Sequence, residues 1–266
     1  MTFEPHPKEF FSAEQAPPRI LNLRDKLAAL ANIGIDRVVV EHFNAAFAKL
    51  SPDEFVSEIL VKRLNAKWIL IGDDFCYGAK RAGNFASLKA AGEKYGFEVS
   101  SIDTIHENGE RISSSALRTA LAQGDIHKAN TLLGRPYGIS GHVIYGQQLG
   151  RTLGFPTLNL AVANHLHHRK PAASGIFVAQ VLGLTDQPLP AVASLGVRPT
   201  VEDAGRVLLE THIFDFQKEV YGKIITVELL EKIREEEKYS DLELLTQAIA
   251  ADARYARNYF QKKNYV

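Results

Sequence analysis

The second half of the chain contains the segment Gly150-Arg-Thr-Leu-Gly-Phe-Pro-Thr-Leu-Asn159, in which a glycine-rich turn leads into a short strand. Backbone N–H groups can approach the oxygens of a bound phosphate closely where glycine leaves no side chain in the way. Gly150 and Gly154, with Gly146 just upstream, meet that requirement, and Arg151 adds a positive charge. The segment is therefore a candidate phosphate site of a bound nucleotide.

The end of this segment offers two oxygen atoms of the kind that Mg²⁺ prefers. In a strand, Thr157 and Asn159 point to one face and Leu158 and Leu160 to the other. A hydroxyl and an amide oxygen would then face a common metal ion. The residues alone leave another interpretation open, a glycine-rich hairpin whose threonine and asparagine make hydrogen bonds within the turn.

The sequence around this segment predicts an antiparallel β-barrel. Strand-like stretches separated by Gly, Pro and Asp are typical of such barrels, and here they are Ile139–Tyr145, Gly175–Leu184, Leu189–Leu195, Val207–Phe216 and Ile224–Leu230. A capping box, Ser240-Asp-Leu-Glu243, predicts a closing helix with Leu242, Leu245 and Ile249 on its apolar face.

The chain before Gly134-Arg-Pro136 has a different pattern, in which β-branched runs alternate with amphipathic helices. This pattern predicts a parallel sheet flanked by helices, with a domain boundary that gives residues 1–134 and 135–266. Buried strands are expected at Arg37–Val40, Trp68–Ile71 and Phe97–Ile102. The fold class is thus α/β followed by all-β.

Three helices in this first part have clear end signals. One follows the capping box Ser51-Pro-Asp-Glu54 and places Phe55, Ile59, Leu60 and Leu64 on one face. A second begins after Ser113 or Ser114 and ends at Gly124, and a third runs from Asp125 to Gly134.

The composition favours a small-molecule partner. Of 266 residues, 45% are hydrophobic, and the 31 Lys and Arg balance the 31 Asp and Glu. A net charge of zero gives no field that would attract nucleic acid or an anionic membrane surface, and it leaves the oligomeric state open. The single cysteine, Cys76, excludes an intramolecular disulfide, so a reducing cytoplasm is the expected location.

Four motifs in order resemble those of riboflavin kinases. They are the Gly150–Asn159 segment, Ser194-Leu-Gly-Val-Arg-Pro-Thr200, Leu209-Glu-Thr-His-Ile-Phe-Asp-Phe216 and Val220-Tyr-Gly-Lys223. The resemblance implies a six-stranded barrel with a C-terminal helix, with ATP and riboflavin as substrates and FMN as product. It also implies Mg²⁺·ATP bound by Thr157 and Asn159. Leu158 departs from the family pattern, which usually has alanine there.

The same resemblance assigns Glu210 as the general base. A carboxylate that accepts the proton of a ribityl hydroxyl would contribute about 10²–10⁴ in rate. From the residues alone, a solvated strand residue is the favoured interpretation of Glu210. Strand alternation does not settle the matter, because both faces of Leu208–Phe216 carry polar and apolar side chains.

The first part of the chain looks like the FMN adenylyltransferase half of bacterial bifunctional riboflavin kinase/FAD synthetases. The matching segments are Thr2-Phe-Glu-Pro-His-Pro7, Gly72-Asp-Asp-Phe-Cys-Tyr-Gly78 and Ile112-Ser-Ser-Ser-Ala-Leu-Arg118. The resemblance implies an incomplete Rossmann-like nucleotidyltransferase domain and nucleotide phosphates bound by Ser113, Ser114 and Arg118. A simple helix N-cap with a surface arginine is the alternative.

Asp73, Asp74 and Phe75 follow a predicted strand, at the edge where open α/β sheets bind ligands. They are candidates for lining a flavin or adenine pocket. The alternative is a loop whose aspartates cap the next helix.

The family's adenylyltransferase signature, Gly-x-Phe-Asp-Gly-x-His-x-Gly-His, does not occur in the sequence. We therefore expect either an N-terminally truncated bifunctional enzyme or a chain that keeps only the kinase activity. His6 is not expected to replace the missing histidines, because it lies between two prolines and should sit in a rigid turn rather than at a helix start.

Two further clusters have simple interpretations. His165, His167 and His168 suggest a metal site, but Arg169 and Lys170 follow directly and favour a solvated loop. The run Glu235-Glu-Glu237 is interpreted as a solvated charge run. Two other functions stay open at this point, a nucleotidyltransferase for another substrate and a non-catalytic flavin-binding module.

Overall fold

The computed structural model describes residues 1–72, 74–107, 109–146, 149–162, 171–197 and 207–263. It forms two compact units. The first contains Met1–Ala16 and Arg37–Arg111, and the second contains Pro17–Asp36 and Ile112–Val266. Packing therefore groups residues 17–36 and 112–134 with the second unit, although they precede the domain boundary expected from sequence.

The first unit contains parallel strand pairs, as predicted. β1 pairs with β2 and β3 with β4 in parallel, and β5 and β6 form an antiparallel pair. The bounds are β1 Thr2–Glu4, β2 Val40–His42, β3 Trp68–Ile71, β4 Glu98–Ser101, β5 His106–Glu107 and β6 Glu110–Arg111. Its α-helices are α1 Pro7–Phe11, α3 Pro52–Glu54 and α4 Phe85–Tyr95, with 3₁₀ turns at Phe47–Lys49 and Ala79–Arg81.

The capping box at Ser51 is confirmed. The Ser51 hydroxyl accepts a hydrogen bond from the Glu54 N–H, and the Glu54 carboxylate accepts one from the Ser51 N–H. The helix continues beyond α3 as a π-helix over Phe55–Arg63, with Phe55 buried on the predicted face. This face packs against Leu88 and Phe97 in the core of the first unit.

Strands form at Trp68–Ile71 and within Phe97–Ile102 as predicted, but the prediction that the strands of the first unit are buried throughout was wrong. The strand expected at Arg37–Val40 begins only at Val40, and Val39 is 38% exposed. On β3, Trp68 and Leu70 are 56% and 46% exposed, whereas Ile69 packs against the core. Helices cover one face of the β3–β4 pair, so alternate side chains along the strand remain open to solvent.

The prediction that His6 lies in a rigid turn rather than at a helix start was also wrong. His6 is the N-cap of α1, where its Nδ1 accepts from the Lys8 N–H at 3.2 Å and the Glu9 carboxylate accepts from the His6 N–H at 3.1 Å. Pro7 has a fixed φ that suits the first helical position, so it promotes a helix start here.

The second unit is built on a closed barrel of six antiparallel strands in the order β10-β11-β8-β7-β12-β9. The bounds are β7 Tyr137–Ile144, β8 Leu158–Ala161, β9 Gly175–Leu182, β10 Leu189–Val197, β11 Val207–Ile213 and β12 Ile224–Arg234. All five strand stretches predicted from sequence are confirmed, and β8 supplies the sixth strand.

The barrel interior is filled by apolar side chains from alternate positions. Phe177, Leu160, Leu195 and Leu209 are fully buried there. Thr211 also points inward, and its hydroxyl has no hydrogen-bond partner among the described residues. The interior is a packed core, so ligands must bind on the outside of the barrel.

Helices α5 (Ser114–Gln123) and α6 (Ile126–Leu133) have the predicted ends. Ser113 caps α5 through a hydrogen bond from the Ala116 N–H at 3.1 Å, which decides between the two serines. Asp125 caps α6, and Gly124 and Gly134 end the two helices in the left-handed conformation.

Helix α2 (Leu23–Asn32) and its N-cap are hydrogen-bonded to the barrel through Ser140 of β7. The Asp25 carboxylate accepts hydrogen bonds from the Ser140 N–H, at 3.2 Å, and from its hydroxyl. The Asn22 amide donates to the Ser140 carbonyl at 3.1 Å. Burial raises the pKa of Asp25 above its usual value.

The closing helix, α8 (Leu242–Lys262), packs on β9 and β10. Its N-cap is Asp241, one residue later than predicted, and Leu242 is 57% exposed. Ala253, Ala256 and Phe260 are buried against Val178 and Val192 on the outer face of the barrel. Within the described ranges, every helix is too short or too polar to cross a membrane.

Two bidentate arginine–aspartate pairs join α8 to the barrel. Arg234 of β12 donates to Asp252 at 2.9 and 2.6 Å, and Arg257 donates to Asp215 at 2.8 and 3.0 Å. The Asp252 side chain is 9% exposed and that of Asp215 is 79% exposed. The hydrogen bonds to Asp252 raise the pKa of Arg234.

These two pairs predict different stability losses for the same substitution. We expect Asp252→Asn to lower the free energy of unfolding by about 1–3 kcal/mol, because it leaves a partly buried arginine without a counter-charge. Asp215→Asn should lower the free energy of unfolding far less, because water solvates that pair. Urea unfolding of both variants measures the difference, and equal losses would contradict it.

Candidate active site

A cleft of about 230 Å³ lies between the outer face of the barrel and α8. One side is formed by the Gly150–Thr157 turn and by β10 and β11. The other side is formed by α8 and by residues 234–239, which lead to it. Apolar side chains including Ile176, Val192, Leu245 and Ile249 line much of it, and the polar groups include Ser194 and Glu210.

Strand pairing brings two of the predicted site residues together. In the register of β8, β11 and β10, Asn159 is paired with Glu210, and Glu210 is paired with Ser194. Residues paired across strands point to the same face of a sheet. Leu158 and Leu160 belong to the barrel core or pack against it, so Asn159 and Glu210 face outward.

Asn159 is 5% exposed, and its side-chain oxygen has no hydrogen-bond partner within the described part of the chain. A Cβ atom at Gly146 would lie 2.2 Å from the Asn159 Nδ2. The glycine at this position is thus required so that the asparagine amide fits under the turn. Burying an amide oxygen without a hydrogen-bond partner costs free energy. The site therefore favours a ligand that binds to the lone pairs of this oxygen, as a metal ion does.

The structure of the turn itself requires its glycines, Gly150 because of a close contact and Gly154 because of its backbone conformation. A Cβ at Gly150 would lie 2.4 Å from the Phe155 carbonyl oxygen, and Gly150 accepts a hydrogen bond from the Phe155 N–H at 2.7 Å. Gly154 has a φ of +83°. Arg151 lies in the short helix α7 (Leu149–Thr152) and is exposed, and it is outside the described lining of the cleft.

Glu210 and Thr157 both line the cleft, as does Gly150. Thr157 directly precedes β8, and its methyl carbon would be 3.4 Å from a Cβ at Gly150. Gly150, Thr157 and Glu210 therefore meet in the cleft, and Asn159 lies beside Glu210 in the strand register.

Sequence reasoning missed the part that Glu236 and Glu237 play, since their run was interpreted as solvated. Both are exposed but line the cleft. The Ser194 hydroxyl donates to Glu236 at 2.8 Å, and a Cβ at Gly196 would lie 1.8 Å from the Glu236 carboxylate. Ser194 and Gly196 belong to the second of the four motifs, Ser194–Thr200, and together they fix the position of the Glu236 carboxylate. No local pattern in the sequence indicates this contact.

Asp74 and Phe75 lie in the first unit. Asp74 is exposed, and Phe75 is stacked on Tyr77 with ring centroids 5.8 Å apart. The following helix, α4, is capped by the side chain of Asn84 rather than by Asp74. Asp73 lies outside the described residues.

Ser113, Ser114 and Arg118 lie in the second unit. The Arg118 guanidinium donates to the Pro18 carbonyl at 2.8 Å and to the Ser114 carbonyl at 3.3 Å. Burial lowers the pKa of Arg118. Ser113 caps α5, as the alternative interpretation of this segment expected. Its role in binding a nucleotide stays a prediction.

The histidine cluster at residues 165–168 falls outside the described residues. In the described ranges, no group of three or more His, Cys, Asp or Glu side chains is arranged to hold a metal ion. Thr157 and Asn159 belong to other residue types, so this absence does not concern them.

Known families match both parts of the chain. A family model described as riboflavin kinase matches residues 133–260, and one described as FAD synthetase matches residues 1–116. A solved structure described as a macrolide-efflux protein from Streptococcus pneumoniae is 29% identical, with a TM-score of 0.74 over 96% of this chain and 82% of that one.

Two relatives carry the same pair of activities in their names. The bifunctional riboflavin kinase/FMN adenylyltransferase of Escherichia coli (strain K12) is 44% identical over 98% of this chain and 82% of that protein. The Pseudomonas fluorescens enzyme of the same name is 42% identical over 96% and 80%. With such identity over nearly its whole length, the chain belongs to the bifunctional riboflavin kinase/FMN adenylyltransferase family.

Proposed function

We propose that the second unit transfers the γ-phosphate of ATP to riboflavin, forming FMN, in the cleft between the barrel and α8. The pairing of Asn159 with Glu210 is the observation that carries the proposal. It supports the proposal because Asn159 and Glu210 are then neighbours on the outer face of the barrel. A non-catalytic flavin-binding module would not require these two groups to be neighbours.

The walls of the cleft suit riboflavin, which has a flat, largely apolar ring system and a polyhydroxylated ribityl chain. Leu245, Ile249 and Tyr239 offer apolar surface for the ring system. Glu210, Glu236 and Glu237 offer carboxylate oxygens that accept hydrogen bonds from hydroxyl groups. The cleft thus combines apolar surface with carboxylates that can bind hydroxyl groups, as a riboflavin site requires.

Mg²⁺ is the cation that we propose for this site, held by the Thr157 hydroxyl and the Asn159 amide oxygen. The residues fit such an ion, because the buried Asn159 oxygen lacks a partner among the described residues and is an oxygen ligand of the preferred kind. When bound, Mg²⁺ neutralises negative charge on the phosphates. Gly150, Arg151 and Gly154 are proposed to bind the phosphates of ATP from the turn.

Glu210 is proposed as the general base. A ribityl hydroxyl is a weak nucleophile at neutral pH, so a carboxylate that accepts its proton during attack lowers the barrier. The position of Glu210 on the outer face, lining the cleft, supports this role over that of a solvated strand residue.

For the first domain, proposed as residues 1–134, we infer nucleotidyltransferase-type ligand-binding roles for Asp74, Phe75, Ser113, Ser114 and Arg118. Its relatives carry FMN adenylyltransferase in their names. The histidine signature of that activity does not occur in this sequence. The kinase domain is proposed as residues 135–266, working in the cytoplasm on small molecules.

Glu210→Gln tests the base. We expect kcat for riboflavin phosphorylation to fall about 10²–10⁴-fold, because glutamine accepts no proton, while Mg·ATP binding persists. Glu235→Gln is the control, since that carboxylate is 70% exposed and pairs with Lys232. FMN formation is measured by chromatography for both variants. A near-normal rate for Glu210→Gln would refute the assignment of Glu210 as the general base.

Gly146→Ala and Asn159→Ala test the metal ligand. A methyl group at residue 146 would displace the Asn159 amide, so we expect the Mg²⁺ concentration for half-maximal rate to rise about 10-fold or more in both variants. Gly138→Ala on β7 is the control, because the atoms nearest to its Cβ would be side-chain carbons of Thr226 and Glu228 at 3.0 and 3.2 Å and a backbone oxygen at 3.6 Å. An unchanged Mg²⁺ requirement in both test variants would refute the ligand set.

Incubation with riboflavin, Mg²⁺ and ATP tests the chain as a whole. We expect FMN to accumulate without FAD, because the histidines that would stabilise the adenylyl-transfer transition state are missing from the sequence. Chromatography separates the two flavins. FAD would disprove the loss of adenylylation, and the formation of neither product would favour the binding module.

A further inference from the structure

His212 connects the strand of the proposed base with the segment of the proposed metal ligand. It lies on β11 two residues after Glu210, on the same outward face, and lines the cleft. Its Nδ1 is 2.8 Å from the carbonyl oxygen of Pro156. Because a carbonyl oxygen only accepts hydrogen bonds, Nδ1 must carry a hydrogen and donate it.

The imidazole ring is held in this orientation by aromatic neighbours. Phe155 meets it edge-to-face with ring centroids 5.6 Å apart, and Phe214 meets it in the same way at 5.6 Å. Phe214 is buried under α8 and is covered by Arg257, whose guanidinium lies 4.4 Å from the ring centroid. The ring therefore has little freedom to rotate away from Pro156.

The hydrogen bond acts directly on Thr157. The carbonyl of Pro156 and the amide nitrogen of Thr157 belong to one planar peptide group. Fixing the direction of this carbonyl fixes the plane from which the Thr157 backbone continues. The other end of the turn is fixed separately, by the hydrogen bond from the Phe155 N–H to the Gly150 carbonyl at 2.7 Å.

We propose that His212 is a positioning residue, which holds Thr157 in register with Asn159 and Glu210 through its hydrogen bond to Pro156. The proposal rests on the proposed kinase function. β8 begins only at Leu158, so strand pairing does not hold residue 157. His212 supplies the missing attachment from the outer face, and the neutral ring is sufficient for it.

A histidine in a cleft can instead relay protons, and the two roles predict different results for asparagine. The Asn side-chain nitrogen occupies nearly the position of the histidine Nδ1 and donates a hydrogen bond, but it does not exchange protons at neutral pH. His212→Asn therefore keeps the attachment and removes any proton relay. His212→Leu keeps apolar contact with Phe155 and Phe214, but it removes both the hydrogen bond to Pro156 and any proton relay.

The experiment uses the full chain with three variants. For His212→Leu we expect kcat/KM for Mg·ATP to fall about 10–100-fold and Mg·ADP binding by calorimetry to weaken, because misplaced ligands are costly. Riboflavin binding, measured by flavin fluorescence, should change less than about two-fold. His212→Asn should stay within about three-fold of the unsubstituted chain in both nucleotide measurements.

His142→Leu is the matched control, because it removes a hydrogen bond of the same kind, from a barrel histidine Nδ1 to the Gly222 carbonyl at 3.0 Å. Equal effects of the two leucine variants on Mg·ADP binding would overturn the proposal, as would an Asn variant as impaired as the Leu variant. If the unsubstituted chain does not phosphorylate riboflavin, the kinase function fails, and the Mg·ADP measurements still decide the role of His212.

Discussion

The register between β8, β11 and β10 is the constraint on which the site depends. On the inner face of these strands, Leu160 is paired with Leu209 and Leu209 with Leu195, and all three are fully buried. On the outer face, the adjacent row carries Asn159, Glu210 and Ser194. A slip of one residue would move the leucines to solvent and the polar side chains into the core. Each buried leucine contributes roughly 1.5–3 kcal/mol, so the core fixes the position of the polar row.

Because the barrel interior is filled, a binding site on this barrel needs another element to form its second wall. The interior is occupied by Phe177 and its neighbours, so the cleft has to form against the outer face, where a helix can cover it. Ala253 and Ala256 are small enough for α8 to approach Val178 and Val192 closely. The cleft lies beside this contact, so its width depends on how firmly the helix is held.

The sequence predicts much of this architecture because the signals are local. The five barrel strands, the capped helices at Ser51 and Asp125, and the alternation of Leu158 and Leu160 with Asn159 all follow from periodicity and end signals. The face of Glu210 could not be predicted, because both faces of its strand are mixed. Only the pairing of Glu210 with Asn159 shows which face Glu210 is on, and strand pairing cannot be read from a single sequence.

Other features depend on contacts between distant residues. Asp25 is bonded to Ser140, 115 positions away, which places residues 17–36 with the barrel although their pattern belongs to the α/β part. Glu236 is bonded to Ser194 from a run that looks solvated. The strand prediction at Arg37–Val40 was wrong for a related reason, since a β-branched run is buried only where another element covers it.

The polar attachments of α8 differ in a way that relates to the cleft. Arg234 reaches both Asp252 of the helix and the carbonyl of Glu235, at 2.6 and 3.0 Å, so one side chain holds the helix and the segment that precedes it. Glu236 then bonds to Ser194, the strand partner of Glu210. Residues 234–239 form part of the cleft wall opposite the proposed base. Directional hydrogen bonds thus fix this part of the wall, where the apolar packing of α8 ends. Apolar contacts tolerate small shifts, whereas a bidentate arginine fixes distance and angle together, so the cleft keeps its geometry without losing the open space that a substrate needs.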